Sequence, residues 1–436
     1  MLKKIQIKGL FDKFDYDIEL KEGGLTILTG PNGYGKTTIL GIIYAIAVKD
    51  QSFFSQIPFV EIALIQDETE TIRIEKKNGR PDFQLGNDRP QEEGIDPEKI
   101  FRLLTKKNVT AREISRSLQN LKISQEGRDD SSLEIMKFAH NIGKVIDILD
   151  QSNSGNQETL GKFHDEQVPT SVIPHFVDCY FIREQRLIRD FLDKNIPENF
   201  RNMIEEYSKE LSNNIKSILG KASKIGQELD SSFPERLFDE IGSITEEEFD
   251  RRYDAIKKKQ NALGLYGLST TQEERHTSFK PENAKALLVY LNDTEKKLAV
   301  FDDILQRLDL FSSILNRRQF VSKQIEISPE FGFRFKTEDD KELPLAALSS
   351  GEQQEVVLLY ELLFRVAPDT LVLIDEPEIS LHVAWQKEFI DDLLRIIDLQ
   401  KITVLVATHS PQIVKGRWDL VVDLWDLATT SGGNPE

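Results

Sequence analysis

The sequence predicts an α/β fold in which one sheet domain is split by a helical insertion. Three observations carry this. The glycine-rich segment Gly30-Pro-Asn-Gly-Tyr-Gly-Lys-Thr37 lies between a short apolar run and a helix-periodic stretch. The run Leu371-Val-Leu-Ile-Asp-Glu376 is four aliphatics followed by two carboxylates, the pattern of a strand buried on both faces. Apolar spacing is two at both ends of the chain and helical from about Asp96 to Phe320.

Taken in order, Lys3, Ile5 and Ile7 alternate with Leu2, Lys4 and Gln6, and Phe14, Tyr16, Ile18 and Leu20 continue with period two. Leu25–Thr29 reads as a short buried strand. Ile39, Ile42, Ile43 and Ile46 predict a helix from about Lys36. Glu61–Gln66 and Glu70–Lys76 suit a hairpin. Ile204, Tyr207, Leu211, Ile215 and Ile218 share one helical face, as do Leu287, Leu291, Leu298, Phe301, Leu305 and Leu308. Polar breaks fall at Gln151–Asn156 and at Gly264–Thr271, the second suiting the tip of a helical hairpin. Strands return at Gln324–Ile327 and Phe331–Lys336. A helix (Gln353–Phe364), a strand (Leu371–Ile374), a helix (Ala384–Ile397) and a strand (Ile402–Ala407) follow. The tail Trp418–Asp426 reads as a last strand despite Asp419, Asp423 and Asp426. The predicted organisation is a first half-domain over 1–95, an insertion over 96–175, a return to the sheet over 176–190, a second insertion or hairpin arm over 191–320, and the second half-domain over 321–436.

The chain has 436 residues, 39% of them hydrophobic and 30% charged, which predicts a globular protein. Lys plus Arg number 56 and Asp plus Glu 74, a net charge of −18. That balance argues against broad coating by nucleic acid or anionic lipid, but leaves room for one basic groove. Candidate cations for such a groove are Arg251, Arg252, Lys257, Lys258 and Lys259, and separately Arg317, Arg318 and Lys323. A single cysteine, Cys179, forbids an intrachain disulfide and suits a reducing cytoplasm. No apolar run reaches the ~20 residues that span a bilayer, and the first residues lack the apolar core of a signal peptide.

The glycine-rich segment fits G-x-x-x-x-G-K-[ST] in the strand–loop–helix context that the pattern requires. Its glycines let several backbone N–H groups converge on one phosphate, and the helix N-terminus adds a positive dipole end. Gly30, Asn32, Gly33, Gly35, Lys36, Thr37 and Thr38 form the candidate phosphate-binding set. Lys36 would reach the β- and γ-phosphates of a nucleotide, and Thr37 would offer its hydroxyl to Mg²⁺. A buried parallel strand delivers Asp375 and Glu376 to the carboxyl edge of the sheet, where open α/β sheets bind ligands. There Asp375 would hold the metal, and Glu376 would orient or deprotonate an attacking water.

Leu348-Ser-Ser-Gly-Glu-Gln-Gln354 precedes that strand, and at these residues the chain resembles the ABC-type ATPases. The Leu-Ser-Ser-Gly-Glu form, Glu376-Pro-Glu-Ile-Ser-Leu-His382 and Thr408-His-Ser-Pro411 are similar to the SMC, RecF and overcoming-lysogenization-defect branch. The resemblance implies a P-loop ABC-type nucleotide-binding domain that hydrolyses ATP with Mg²⁺. It implies that Ser349 and Gly351 reach the γ-phosphate held by a second subunit, and that His409 is the switch histidine. It also implies that Gln185, in Phe181-Ile-Arg-Glu-Gln-Arg-Leu187, senses the metal and the water. His382 stands where transporters carry an aspartate. The long gaps between motifs depart from transporter subunits as well. The overcoming-lysogenization-defect proteins fuse a Toprim nuclease after the switch histidine, whereas this chain stops soon after His409. The reading favoured is a homodimeric or higher ATP-gated scaffold that controls a separate effector, a nuclease or toxin, in anti-phage defence. The alternative is a DNA-binding ATPase of repair or chromosome maintenance.

Overall fold

The computed structural model describes residues 2–66, 71–77, 80–86, 178–183, 203–269, 279–318, 323–379 and 381–430. By its internal contacts the chain divides into one unit of residues 1–84 and 173–436 and a second of residues 85–172. The expected insertion over 96–175 and Gln185 lie outside the described residues, as does the break at 151–156.

A parallel sheet forms the centre of the first unit. Its strands are β3 (Leu25–Thr29), β7 (Cys179–Ile182), β11 (Leu371–Asp375), β12 (Thr403–Ala407) and β13 (Val421–Asp423), in the order β13-β3-β12-β11-β7. Every residue of β11 and β12 is buried. Aliphatic side chains alternate between the two faces, as period two requires. Ile27, Val372, Ile374, Val404 and Val406 enter one core. Leu28, Leu371, Leu373, Leu405 and Ala407 enter the other. The register sets Asp375 beside Ala407 and Ala407 beside Leu28. The segments that follow β3, β11 and β12 therefore leave the sheet at one level of its carboxyl edge.

An antiparallel sheet, in the order β2-β1-β4-β5-β6, covers the second of these cores. It comprises β1 (Lys4–Leu10), β2 (Phe14–Glu19), β4 (Glu61–Ile65), β5 (Thr71–Lys77) and β6 (Arg80–Gly86). Helix α1 (Lys36–Ala47) lies between the two sheets and buries Ile39, Leu40, Ile42, Ile43, Ala45 and Ile46. A short helix, α2 (Gln51–Gln56), follows, N-capped by Asp50. The expected hairpin forms as the β4–β5 pair, whereas β6 carried no readable alternation.

The other core lies under four helices that share it with the sheet: α3 (Met203–Asp239), α4 (Glu246–Gly264), α5 (Ala284–Ala299) and α6 (Asp302–Arg317). The stripe expected over Leu287–Leu308 is thus two helices, broken at Val300–Phe301. Beside them lies the antiparallel sheet β10-β9-β8, of β8 (Lys323–Ser328), β9 (Gly332–Thr337) and β10 (Glu342–Leu343). Gly332 has φ of 79°, and a Cβ there would stand 1.7 Å from the carbonyl oxygen of Ser208. Only glycine lets α3 approach β9 so closely.

The contacts move the hairpin tip away from Gly264–Thr271. Arg252 pairs with Glu295, Lys259 with Asp302, and Tyr266 with Asp309. The constant separation of 43 residues makes α4 run alongside α5 and α6 in the same direction. Against α3, Lys297 pairs with Asp230 and Lys285 with the Phe238 carbonyl, a descending register that makes α3 and α5 antiparallel. The reversal is the short connection between α3 and α4, where Thr245 caps α4 by accepting from the Glu248 N–H.

Helix α7 (Ser350–Tyr360) ends in a π-helical turn, Glu361–Arg365, rather than running straight to Phe364. At this turn the Tyr207 hydroxyl donates to Glu361 at 2.6 Å, and Arg365 donates to the Tyr207 hydroxyl at 3.1 Å. Helix α8 (Val383–Gln400) leads to β12, and α9 (Pro411–Val414) follows Thr408–Ser410. The expected last strand survives only as β13. Trp418–Leu420 is a 3₁₀ turn and Leu424–Thr430 is helix α10, because Asp423 accepts from the Trp425 N–H and ends the strand.

Candidate functional site

The glycine-rich loop joins β3 to α1, and its geometry follows from glycine. Gly35 precedes α1 with φ of 87°, and a Cβ there would stand 2.9 Å from the Leu10 side chain. Pro31, Asn32 and Gly33 are exposed, so the loop's crown faces solvent. Gly30 lies at its base against Leu424, at the start of α10. Thr37 and Thr38 stand in the first turn of α1, Thr37 exposed and Thr38 half-buried.

Lys36 is 5% exposed. Its ammonium turns back to donate to the Gly30 carbonyl at 2.7 Å and the Pro31 carbonyl at 3.2 Å. It also lies 3.2 Å from Nδ1 of His409. Burial holds its pKa below the ordinary 10.5, opposed by Glu376, Asp375, Glu378 and Asp423. A buried cation facing four carboxylates and borrowing loop carbonyls is held where a polyanion would supply stronger partners.

At the end of β11, one strand beyond β12, Asp375 is 8% exposed and accepts from the Thr37 hydroxyl at 3.2 Å. Two oxygen groups from separate elements thus meet at the helix N-terminus, the donor type that suits a hard cation such as Mg²⁺. Glu376 has φ of 44°, uncommon for a residue with a side chain, and its N–H donates to the Ala407 carbonyl at 2.9 Å. This turn re-aims the chain as it leaves β11. His409 Nε2 lies 2.8 Å from Glu376 Oε1. The two partners of the ring fix its tautomer: Nδ1 accepts from the Lys36 ammonium, and Nε2–H donates to Glu376.

The structure therefore brings together Gly30, Lys36, Thr37, Asp375, Glu376 and His409 at one edge of the sheet. Ser349 and Gly351 stand elsewhere, at the start of α7. Exposed Ser349 closes a capping box, its hydroxyl oxygen accepting from the Glu352 N–H at 3.3 Å and the Glu352 carboxylate accepting from the Ser349 N–H at 2.8 Å. Lys323 donates to the same carboxylate at 2.7 Å. Gly351 lies half-buried in the first turn of that helix. Sequence reasoning gave no role to Glu378, whose Oε1 accepts from the Thr408 hydroxyl at 2.7 Å, the His409 N–H at 2.6 Å and the Ser410 N–H at 3.1 Å. Its signal was the second acid of Glu376-Pro-Glu378.

The cations expected for a nucleic-acid groove are mostly engaged. Arg252 is bound to Glu295, Lys259 to Asp302 and Lys323 to Glu352. Arg318 is buried against Glu355, Glu388 and Asp392, and Arg317 reaches Glu388 and Asp392. Arg251 and Lys258 are exposed. Among the described residues no group of three or more His, Cys, Asp or Glu could hold a metal ion. Among them, too, no helix is long and apolar enough to cross a membrane.

A family model for the AAA ATPase domain matches residues 1–414. The chain belongs to that ATPase family. Short stretches resemble UvrABC system protein A: 38% identity over 90 residues with that of Clostridium acetobutylicum, and 42% over 90 residues with that of Chlamydia pneumoniae. Each stretch is 21% of this chain, and it spans 9% and 5% of those two relatives. Among solved structures, the Smc head domain with an extended coiled coil, from Pyrococcus furiosus, is similar at 16% identity and a TM-score of 0.36, covering 97% of this chain and 92% of that one. The SMC head domain from Thermotoga maritima is similar at 12% identity and a TM-score of 0.35, covering 95% and 91%.

Proposed function

We propose that this ATPase is a nucleotide-gated switch in which two subunits close around ATP. The observation that carries the reading is the convergence of Lys36, Thr37, Asp375, Glu376 and His409 at one sheet edge. Lys36 would release its loop carbonyls and hold the β- and γ-phosphates. Thr37 and Asp375, with Gln185, would hold Mg²⁺, which when bound screens the charge of the phosphates. Glu376 would accept a proton from the attacking water, and His409 would hold that carboxylate in place through Nε2–H. Gly30, Asn32, Gly33, Gly35 and Thr38 would offer backbone N–H groups to the phosphates. Ser349 and Gly351, at the exposed start of α7, would meet the nucleotide of the second subunit.

The closed dimer would control a separate effector, a nuclease or toxin, in anti-phage defence. The net charge of −18 and the engagement of Arg252, Lys259, Arg318 and Lys323 support a protein partner over a DNA groove. Exposed Arg251 and Lys258 favour the second reading, a DNA-binding ATPase of repair or chromosome maintenance. Affinity purification of the chain from its host, with and without ATP and after nuclease digestion, separates the two. The defence reading expects one nuclease- or toxin-like protein that stays bound after digestion and responds to ATP. Retention of DNA with no such protein supports the second reading.

A further inference from the structure

We propose that Glu378 is a positioning residue for ATP hydrolysis: its carboxylate clasps the Thr408–Ser410 segment and thereby sets His409 against Glu376 and Lys36. The inference rests on the proposed roles of those three residues.

Glu378 lies in the 3₁₀ turn Pro377–Ile379 that follows β11, while Thr408–Ser410 follows β12. One oxygen, Oε1, accepts from three successive residues: the Thr408 hydroxyl and the His409 and Ser410 N–H groups. Thr408 is fully buried. Hydrogen bonds to an ionised acceptor are short and strong, and three on one oxygen fix the path of the backbone that carries the histidine. Gln386 makes a second tie. Its amide donates to the Glu378 and Leu381 carbonyls at 3.2 Å each, and its oxygen accepts from the Ser410 hydroxyl at 2.8 Å. The ring Glu378–Ser410–Gln386 joins the two strand exits, with side chains bonding to the Ser410 N–H, the Ser410 hydroxyl and the Glu378 carbonyl.

What this achieves is visible at the imidazole. His409 is tied through its own N–H to Glu378 and touches Lys36 with Nδ1 and Glu376 with Nε2. Neither the lysine nor the glutamate anchors the histidine backbone. Without Glu378, the two N–H donors and the hydroxyl lose a common acceptor, and the ring loses its fixed approach to Glu376. The bonds of Glu378 Oε1 run to the segment that carries His409. Its effect on the reaction runs through the histidine, and it should slow turnover without weakening nucleotide binding.

The second oxygen, Oε2, is buried and has no hydrogen-bond partner among the described residues. Glutamine at this position therefore keeps the oxygen that takes the three donors and places its amide where no bond was made. Alanine removes the clasp. The test compares Glu378→Ala, Glu378→Gln and Glu376→Gln with the parent in the full chain. Steady-state hydrolysis, ATP-binding stoichiometry by calorimetry and thermal unfolding are measured on each. Glu378→Ala should lower kcat about 10- to 100-fold, the scale of an ångström-sized misplacement. Its KM and binding stoichiometry should stay at parent values, and Glu378→Gln should recover most of the rate. Parent kcat in Glu378→Ala overturns the proposal. So does a loss of binding sites that matches the loss of rate, because Glu378 would then merely hold the fold. Equal impairment of the Gln and Ala variants overturns it too. If Glu376→Gln is inactive and Glu378→Ala is not, the clasp alone fails. A Glu376→Gln chain that turns over at the parent rate removes the role of Glu376 and this proposal with it.

Discussion

The Thr37 hydroxyl donates to Asp375 at 3.2 Å, joining residues 338 positions apart in the chain. This bond closes the two halves of the sheet domain on each other. One partner comes from the helix after the glycine-rich loop and the other from the end of a fully buried strand. Beside it, Lys36 and His409 repeat the closure across 373 positions. The site is thus a product of register: β3, β12 and β11 end together, and each leads into part of it.

In its proposed role, Lys36 would link nucleotide binding to protons. Burial lowers its pKa in the free protein below 10.5, and phosphate oxygens would favour the ammonium and raise it. A group whose pKa rises on binding takes up a proton in the window between the two values. ATP affinity should therefore fall as pH climbs through the lowered pKa of the free site. Calorimetry in alkaline buffers of differing ionisation enthalpy should read net proton uptake, and Lys36→Ala should abolish the binding itself. Affinity that is flat across alkaline pH contradicts the linkage.

Gly35→Ala should disable the loop. The residue holds φ of 87°, and a Cβ would press on Leu10 at 2.9 Å. The left-handed conformation alone costs a side-chain-bearing residue about 1–2 kcal/mol. Relief of the clash would swing the loop away from the start of α1. ATP affinity should drop at least tenfold, while urea unfolding shows a loss of only about 1–3 kcal/mol.

Arg318→Met should destabilise the whole unit. Arg318 is buried and ties α6 to Glu355 of α7 at 3.3 Å and to Asp392 of α8 at 2.6 Å. Removing the cation takes a buried charge partner from Glu355 and Asp392, a loss of about 3–5 kcal/mol. Urea unfolding measures the loss. Adding Glu355→Leu and Asp392→Leu should restore part of it, because it removes the two buried acids that Arg318 neutralised.

Much of this was legible in the sequence because short, strongly patterned segments need no context. The boundaries of β3 and the placement of Lys36 and Asp375 follow from local residues: glycines, an aliphatic run and two acids. Elements decided by tertiary contact were not legible. The tip of the α3–α4 hairpin carries weaker turn signals than Gly264–Thr271, and only ion pairs such as Arg252 with Glu295 reveal the direction of the helices. The tail broke its expected strand because Asp423 bonds to the Trp425 N–H. Basic residues that look available in sequence, Arg318 and Lys323, are engaged by acids from distant helices. Glu378 was readable as an acid but not as an acceptor for three donors, since its partners lie about thirty residues away and meet it only through the pairing of β11 with β12.

The most direct test of the account is single-turnover hydrolysis by Glu376→Gln, with its mass in solution measured in the presence of ATP. The account predicts that the variant binds ATP as the parent does, cleaves it at least about 100-fold more slowly, and accumulates as an ATP-bound dimer. Cleavage at the parent rate, or a monomer saturated with ATP, would contradict it.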